Sequence, residues 1–219
     1  MSVEIIPAII AKSFDELKEK IETVEPYVKW VQLDIMDGKF VPNTTWNEPE
    51  DLKLWKPKVL LEAHLMISEP EKYAEQWIDA GIKRIIFHIE ATSDPYAIIK
   101  ICRERKVEVG VAINPETPES ALSLAAGQAL LVSSVDMVLV LGVTPGFGGQ
   151  EFMPSVLEKI KALRNTNPNL TIEVDGGMNP KTAKKVVEAG ASVVVVGSYI
   201  FRSDDIKKAI DELKNAWQS

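Results

Sequence analysis

The 219 residues contain only two histidines, and each closes an apolar run: Leu60-Leu61-Glu62-Ala63-His64 and Arg84-Ile85-Ile86-Phe87-His88. Two aspartates hold similar places, Asp34 in Val31-Gln32-Leu33-Asp34-Ile35-Met36 and Asp175 in Glu173-Val174-Asp175-Gly176-Gly177. A carboxylate can take or return a proton, and an imidazole can polarise a carbonyl or bind a metal ion. Side chains alternate along a strand, so Gln32, Asp34 and Met36 share one face. On position alone Asp34 reads either as a base aimed into a pocket or as a solvated residue before the Asp37-Gly38 turn. Asp37 reads as the turn residue itself. Asp175 is either a turn aspartate or a catalytic one whose glycine neighbours admit a ligand. His64 is either structural or a metal ligand or electrophile, while His88 reads as structural support. Met36 and Met66 are core residues or an apolar pocket wall.

Three glycine-containing segments follow the last three apolar runs: Gly146-Phe147-Gly148-Gly149, Gly176-Gly177 and Gly197-Ser198. Backbone N–H groups free of side chains can cradle a phosphate, and barrel enzymes commonly place phosphate on their last loops. Gly197-Ser198 is expected to open a short helical stretch through Phe201.

These residues need elements to hold them. Short β-rich runs are predicted at 3–9, 28–34, 58–65, 84–88, 107–112, 135–141, 171–175 and 193–197. Several are continuously apolar, such as Val193-Val194-Val195-Val196, as expected for parallel strands covered on both faces. Helical patterns lie between them. Ser13 is read as an N-cap, with Glu16 at the capping-box position. Ser68-Glu69-Pro70-Glu71 begins another helix, Gly81 and Gly190 sit where helices should stop, and a last helix follows Ser203-Asp204-Asp205 to about Trp217. Its amphipathic pattern is read as packing against the barrel, with a solvated charged face. Eight β-then-α units fit a closed (β/α)₈ barrel, the TIM-barrel architecture of the α/β class, or a doubly wound open sheet. The strand count favours the barrel, formed by residues 1–219 as one domain. In a barrel the polar and glycine residues at the strand ends gather around one mouth.

Composition is ordinary for a soluble globular protein. Apolar residues make up 46% and charged residues 26%. A single cysteine, Cys102, rules out an internal disulfide and gives no support to a secreted, stapled fold. No leader peptide is read at Met1-Ser2-Val3-Glu4, and the apolar stretch from Ala129 to Val143 is too short and polar to span a bilayer. The expected location is cytoplasmic, with no membrane association. A net charge of −7 without a basic cluster argues against nucleic acid as a partner.

In its longer blocks the sequence resembles the ribulose-phosphate 3-epimerase family. They are Asp34-Ile35-Met36-Asp37-Gly38-Lys39-Phe40-Val41-Pro42-Asn43, His64-Leu65-Met66-Ile67, Pro145-Gly146-Phe147-Gly148-Gly149-Gln150, Glu173-Val174-Asp175-Gly176-Gly177 and Gly197-Ser198, in the family's order. The resemblance covers nearly the whole chain. It implies interconversion of D-ribulose 5-phosphate and D-xylulose 5-phosphate by inversion at C3. It implies Asp34 and Asp175 as the two acid/base residues. It further implies a divalent metal (Zn, Fe, Mn, Co or Mg) held by Asp34, His64 and Asp175, with substrate also contacting His64. Phosphate is implied on 146–149, 176–177 and 197–198, and a homo-oligomer is implied as the assembly.

The chain departs from that family in three places. Gln32 stands where a metal-binding histidine is usual, Ala8 where a substrate-contacting serine is usual, and Leu141 where a pocket methionine is usual. With Met36 and Met66, Ala8 and Leu141 are expected in the pocket wall. A glutamine oxygen can bind a hard cation but replaces imidazole poorly on zinc. Two alternatives therefore stand beside the pentulose-phosphate reading. One is an epimerase of another phosphoketose such as D-allulose 6-phosphate. The other is a non-catalytic phosphosugar-binding barrel, against which the two aspartates argue.

Overall fold

A computed structural model describes residues 3–122 and 131–217. Eight parallel strands close into a barrel in chain order: β1 Glu4–Ile9, β2 Trp30–Met36, β3 Leu60–Met66, β4 Arg84–His88, β5 Glu108–Ile113, β6 Met137–Leu141, β7 Thr171–Asp175 and β8 Val193–Val196. Pairing of Glu4 through Pro7 with Val193 through Val196 joins the last strand to the first. Closure leaves no free sheet edge, which an open doubly wound sheet would have.

The helices are α1 Phe14–Val24, α2 Ala74–Asp79, α3 Pro95–Glu104, α4 Leu131–Ser134, α5 Val156–Thr166, α6 Pro180–Ala189, α7 Ser198–Phe201 and α8 Ile206–Asn215. Between β2 and β3 the connection carries only a 3₁₀ segment, Pro49–Leu54. Aromatic side chains fill that side of the shell. Trp46 lies 5.4 Å from Phe14 and 5.8 Å from Trp77, and Phe14 meets Trp55 edge-on at 5.8 Å. Such pairs add about 0.5–1.5 kcal/mol each beyond their buried area. Among the described residues no helix is long and apolar enough to cross a membrane. Residues Ala129 and Leu130 of the apolar stretch, and Met1 and Ser2, lie outside the described residues.

Several local expectations change. Ser13 does cap α1, accepting from the Glu16 N–H, but the reciprocal half of the capping box is absent. The Glu16 carboxylate instead accepts from the Lys12 N–H and pairs with Lys20, because the chain before Ser13 turns a donor toward it. After Ser68 the chain makes a 3₁₀ turn, Pro70–Lys72, before α2 begins at Ala74. The last helix is capped by Asp205, whose side chain accepts from the Lys208 N–H, and it ends at Asn215. It buries Ala209, Ile210 and Leu213, so its apolar stripe does pack inward. α6 has the fullest set of end signals: a capping box between Asn179 and Thr182, Pro180 in the first turn, and Gly190 at φ 119° past its end.

The barrel interior holds two apolar clusters side by side, each reaching from the strand starts to the mouth. Ile6, Ala8, Trp30, Val193 and Val195 form one inward cluster, and Ile86, Ala112, Met137, Leu139 and Leu141 another. Gln32, Glu62, His64, His88 and Glu173 are fully buried beside them. Arg84, itself 7% exposed, pairs with Glu62 and Glu108 and lies 4.1 Å over the Trp30 ring. Burial pushes the Glu62 carboxyl up to about 7, against the pull of Arg84, and holds Glu173 well above its ordinary value.

Candidate active site at the barrel mouth

Strand β2 runs two residues further than the sequence pattern suggests, and β3 one residue further. Register pairs Asp34 with His64 and Met36 with Met66, so Asp34 and His64 sit inside their strands rather than at the ends. That depth explains their burial, at 7% and 0% exposure. Asp175 does close β7, where it pairs with Leu141 on one side and Val195 on the other. Asp37 is the turn residue: its carboxylate accepts from the Lys39, Phe40 and Ser68 N–H groups, and these bonds keep it ionised against the opposing cost of burial.

Asp34, His64 and Asp175 meet at one point, their ligand atoms all within 4.8 Å of one another. His64 Nδ1 is 3.5 Å from Asp34 Oδ1 and 3.8 Å from Asp175 Oδ2. Gln32 lies between them. Its Nε2 donates to Asp34 Oδ1 at 2.8 Å and to Asp175 Oδ2 at 2.9 Å, leaving Gln32 Oε1 buried without a partner. One amide N–H₂ thus occupies the side of the dyad from which a cation would neutralise it. Burial first, and then the neighbouring Asp34 charge, push the Asp175 carboxyl up to about 7, while His64 and the Gln32 hydrogen bond pull it down.

The donor set fits a divalent ion in one respect that the orphaned oxygen reveals. Rotating the Gln32 amide by half a turn aims Oε1 at the two carboxylates, which repel it unless a cation intervenes. Two carboxylate oxygens, one imidazole nitrogen and one amide oxygen then converge, a set suited to a hard or borderline cation better than to zinc.

These groups open onto a cavity of about 810 Å³. Ala8, Met36, Met66 and Leu141 line it, as do Gly146, Phe147, Gly148, Gly149, Gly176, Gly177, Gly197 and Ser198. Every candidate site residue named from the sequence except Gln32 is in this wall, and Gln32 lies directly behind it. Two of these glycines are structural requirements. Gly176 and Gly177 have φ 108° and 70°, and a Cβ on Gly177 would stand 2.5 Å from the Phe152 backbone nitrogen. The 146–149 loop is pinned twice: Asn43 Nδ2 donates to the Gly146 carbonyl at 2.9 Å, and Gln150 Nε2 donates to the Thr144 and Phe147 carbonyls. Phe147 is left 55% exposed at the rim.

Sequence reasoning missed Ile10, Val143, Met178, Asn179 and Arg202, all in the wall. Ile10 was accessible in principle, two residues beyond Ala8 on an alternating strand. Arg202 follows α7 directly, and its guanidinium packs against Gly149. His88 is fully buried, with Nε2 2.9 Å from His64 Nε2 and Nδ1 3.3 Å from Glu90 Oε2. Burial pushes the His88 imidazole down to about 4, and Glu90, accepting from His88, Asn114 and Thr117, is held down at about 2 against the opposing cost of its burial.

A closed (β/α)₈ barrel with two carboxylates and an imidazole facing a glycine-walled mouth has the form of a barrel enzyme with its site at the C-terminal ends of the strands. The sequence profile of the ribulose-phosphate 3 epimerase family matches residues 4–201. Ribulose-phosphate 3-epimerases of Synechocystis sp. and Bacillus subtilis are 37% and 36% identical, over 98% of this chain and 94% and 99% of their own lengths. That of Eremothecium gossypii is 36% identical over 96% of this chain and 91% of its own. The chain belongs to the ribulose-phosphate 3-epimerase family and is an epimerase. The fold is shared more widely. A 3-hexulose-6-phosphate synthase superposes with a TM-score of 0.73 at 19% identity, covering 97% of this chain and 99% of that one. An orotidine 5'-phosphate decarboxylase from Pyrococcus horikoshii superposes with 0.66 at 15%, covering 98% and 99%.

Proposed function

We propose that this protein inverts C3 of a ketopentose phosphate, interconverting D-ribulose 5-phosphate and D-xylulose 5-phosphate, with Asp34 and Asp175 as the two acid/base groups. The observation that carries the reading is the pairing of these carboxylates in one cavity, with Asp175 raised to about 7 beside Asp34. Two facing carboxyls, one of them raised toward neutral pH, can share the work, one as base and one as acid. One takes the C3 proton from one face of a flat intermediate and the other returns a proton to the opposite face. Running the reaction backward exchanges the roles.

The glycine loops support the phosphate assignment: 146–149, 176–177 and 197–198 wall the same cavity. Gripping the phosphate there orients the reacting carbon and supplies binding energy away from it. Asp34, His64 and Asp175, with Gln32 through Oε1, would hold a divalent cation. Such an ion supplies Lewis-acid stabilisation of the negative charge that develops on the substrate oxygens. Met36, Met66 and Leu141 keep water from the dyad.

Incubating the protein with D-ribulose 5-phosphate in D₂O tests the reading, with and without a chelator followed by Mn²⁺ or Zn²⁺. Deuterium at C3 with xylulose 5-phosphate formation is expected. Exchange confined to a hexulose phosphate would move the assignment to that substrate, and no exchange with any phosphoketose would remove the catalytic reading. Asp34→Asn is expected to stop exchange without unfolding the barrel.

A further inference from the structure

We propose that Glu90 and His88 act as positioning residues that fix the tautomer of His64, placing its ring proton on Nε2 and its Nδ1 lone pair toward the two aspartates. The proposal rests on the reading above only for its consequence, that Nδ1 is the atom offered to a cation.

The chain of contacts has one consistent direction. Glu90 Oε1 is already occupied: it accepts from the Asn114 backbone N–H at 2.8 Å and from the Thr117 hydroxyl at 2.5 Å. That locks the carboxylate and leaves Oε2 facing His88 Nδ1 at 3.3 Å. A carboxylate oxygen within hydrogen-bond distance favours a ring N–H over a ring lone pair, so His88 Nδ1 carries the proton and donates. His88 is fully buried, where a neutral ring is favoured, so its Nε2 is an acceptor. The atom facing it at 2.9 Å is His64 Nε2, which therefore donates. The ring planes are 18° apart with centres 5.0 Å apart, so the two imidazoles meet edge to edge, as an in-plane N–H···N bond requires. His64 Nδ1 is left as the lone pair. Gln32 Nε2, a donor, lies 3.5 Å from it. Asp34 Oδ1 and Asp175 Oδ2 stand at 3.5 and 3.8 Å and would favour a proton there, but both accept from that same amide, so the shorter His64–His88 and His88–Glu90 contacts decide the tautomer. Partners behind a ligating histidine commonly set its tautomer and orientation.

Glu90→Gln makes a sharp test because it keeps the shape and reverses the direction. The Asn114 N–H cannot turn away, so the new amide must keep its oxygen there and aim its N–H₂ at His88. His88 then becomes an acceptor at Nδ1 and a donor at Nε2, and His64 is driven to carry its proton on Nδ1.

The measurement is ¹⁵N NMR of the untagged, metal-free protein at pH 8.5, where two histidines give four ring nitrogens. In the wild type, His64 Nδ1 and His88 Nε2 are expected at acceptor-type shifts and the other two at donor-type shifts. In Glu90→Gln all four exchange character, and calorimetric Mn²⁺ affinity falls by about 10–100-fold. A wild-type spectrum with a proton on His64 Nδ1, or with averaged tautomers, overturns the proposal without any variant. Unchanged tautomers in a folded Glu90→Gln protein overturn it equally. The spectra need no substrate, so expected tautomers in a protein that exchanges no phosphoketose would sink the functional reading alone.

Discussion

Asp175→Asn should remove activity and raise stability together, and the size of the second effect can be worked from the site. In the fold the carboxyl is pushed from 3.8 up to about 7. A group raised in this way binds its proton more tightly folded than unfolded. Between about pH 4 and 7 the unfolded chain has lost that proton while the native state still holds it. Stability therefore falls as pH rises through this window, and above 7 the full cost of a buried, ionised Asp175 is present. A shift of about 3 units at 1.36 kcal/mol each is about 4 kcal/mol, an upper figure because the side chain is 15% exposed. Asparagine cannot ionise, and its amide oxygen can still accept from Gln32. Denaturant unfolding of chelated wild type and variant at pH 5 and pH 8 measures the difference. About 1 unit of that cost is already present at pH 5, so the variant's advantage should grow by up to about 3 kcal/mol between those pH values, while deuterium exchange falls by at least about 10²-fold. An advantage that is flat with pH, or a variant that still epimerises, would refute the argument that Asp175 is a strained acid/base group.

Two other perturbations probe the scaffold. Gly177→Ala forces a side chain into φ 70° and against the Phe152 backbone. It should cost about 1–3 kcal/mol in denaturant unfolding and, by shifting the phosphate loop, lower kcat/KM on the order of 10²-fold. Arg84→Met strands Glu62 in the barrel interior without its partner. It should destabilise by about 3 kcal/mol at pH 8, and by less at pH 5.5, where the raised Glu62 carboxyl is protonated and needs no counter-charge. A loss independent of pH would show that Arg84 matters only through its packing on Trp30.

Much of the fold was legible because it rests on local rules. Apolar runs such as Val193-Val194-Val195-Val196 can only be strands covered on both faces, and Asn179-Pro180 with Gly190 marks α6 at both ends. Their alternation yields a barrel, and the mouth follows from the barrel. Asp34, His64, Asp175 and the three glycine loops were found on that logic. The aromatic cluster replacing a helix between β2 and β3 was not, because Phe14, Trp46, Trp55 and Trp77 meet only when α1, α2 and the 3₁₀ segment pack together. The barrel-floor group of Arg84, Glu62 and Glu108 escaped for the same reason. Each looks like an ordinary strand-edge charge until inward alternation and closure put Glu62 and Arg84 out of water.

What the sequence determined by itself was the element order and the set of residue types available to the site, since periodicity and turn chemistry act over a few residues. What only the tertiary structure decided was depth and direction. Strand register set Asp34 two residues inside β2, closure brought Asp175 within reach of the same Gln32 amide, and the Glu90–His88 contacts bear on which nitrogen of His64 carries the proton. Those outcomes depend on distances between strands far apart in the chain, and hydrogen bonds and buried charges respond to such distances on the scale of an ångström.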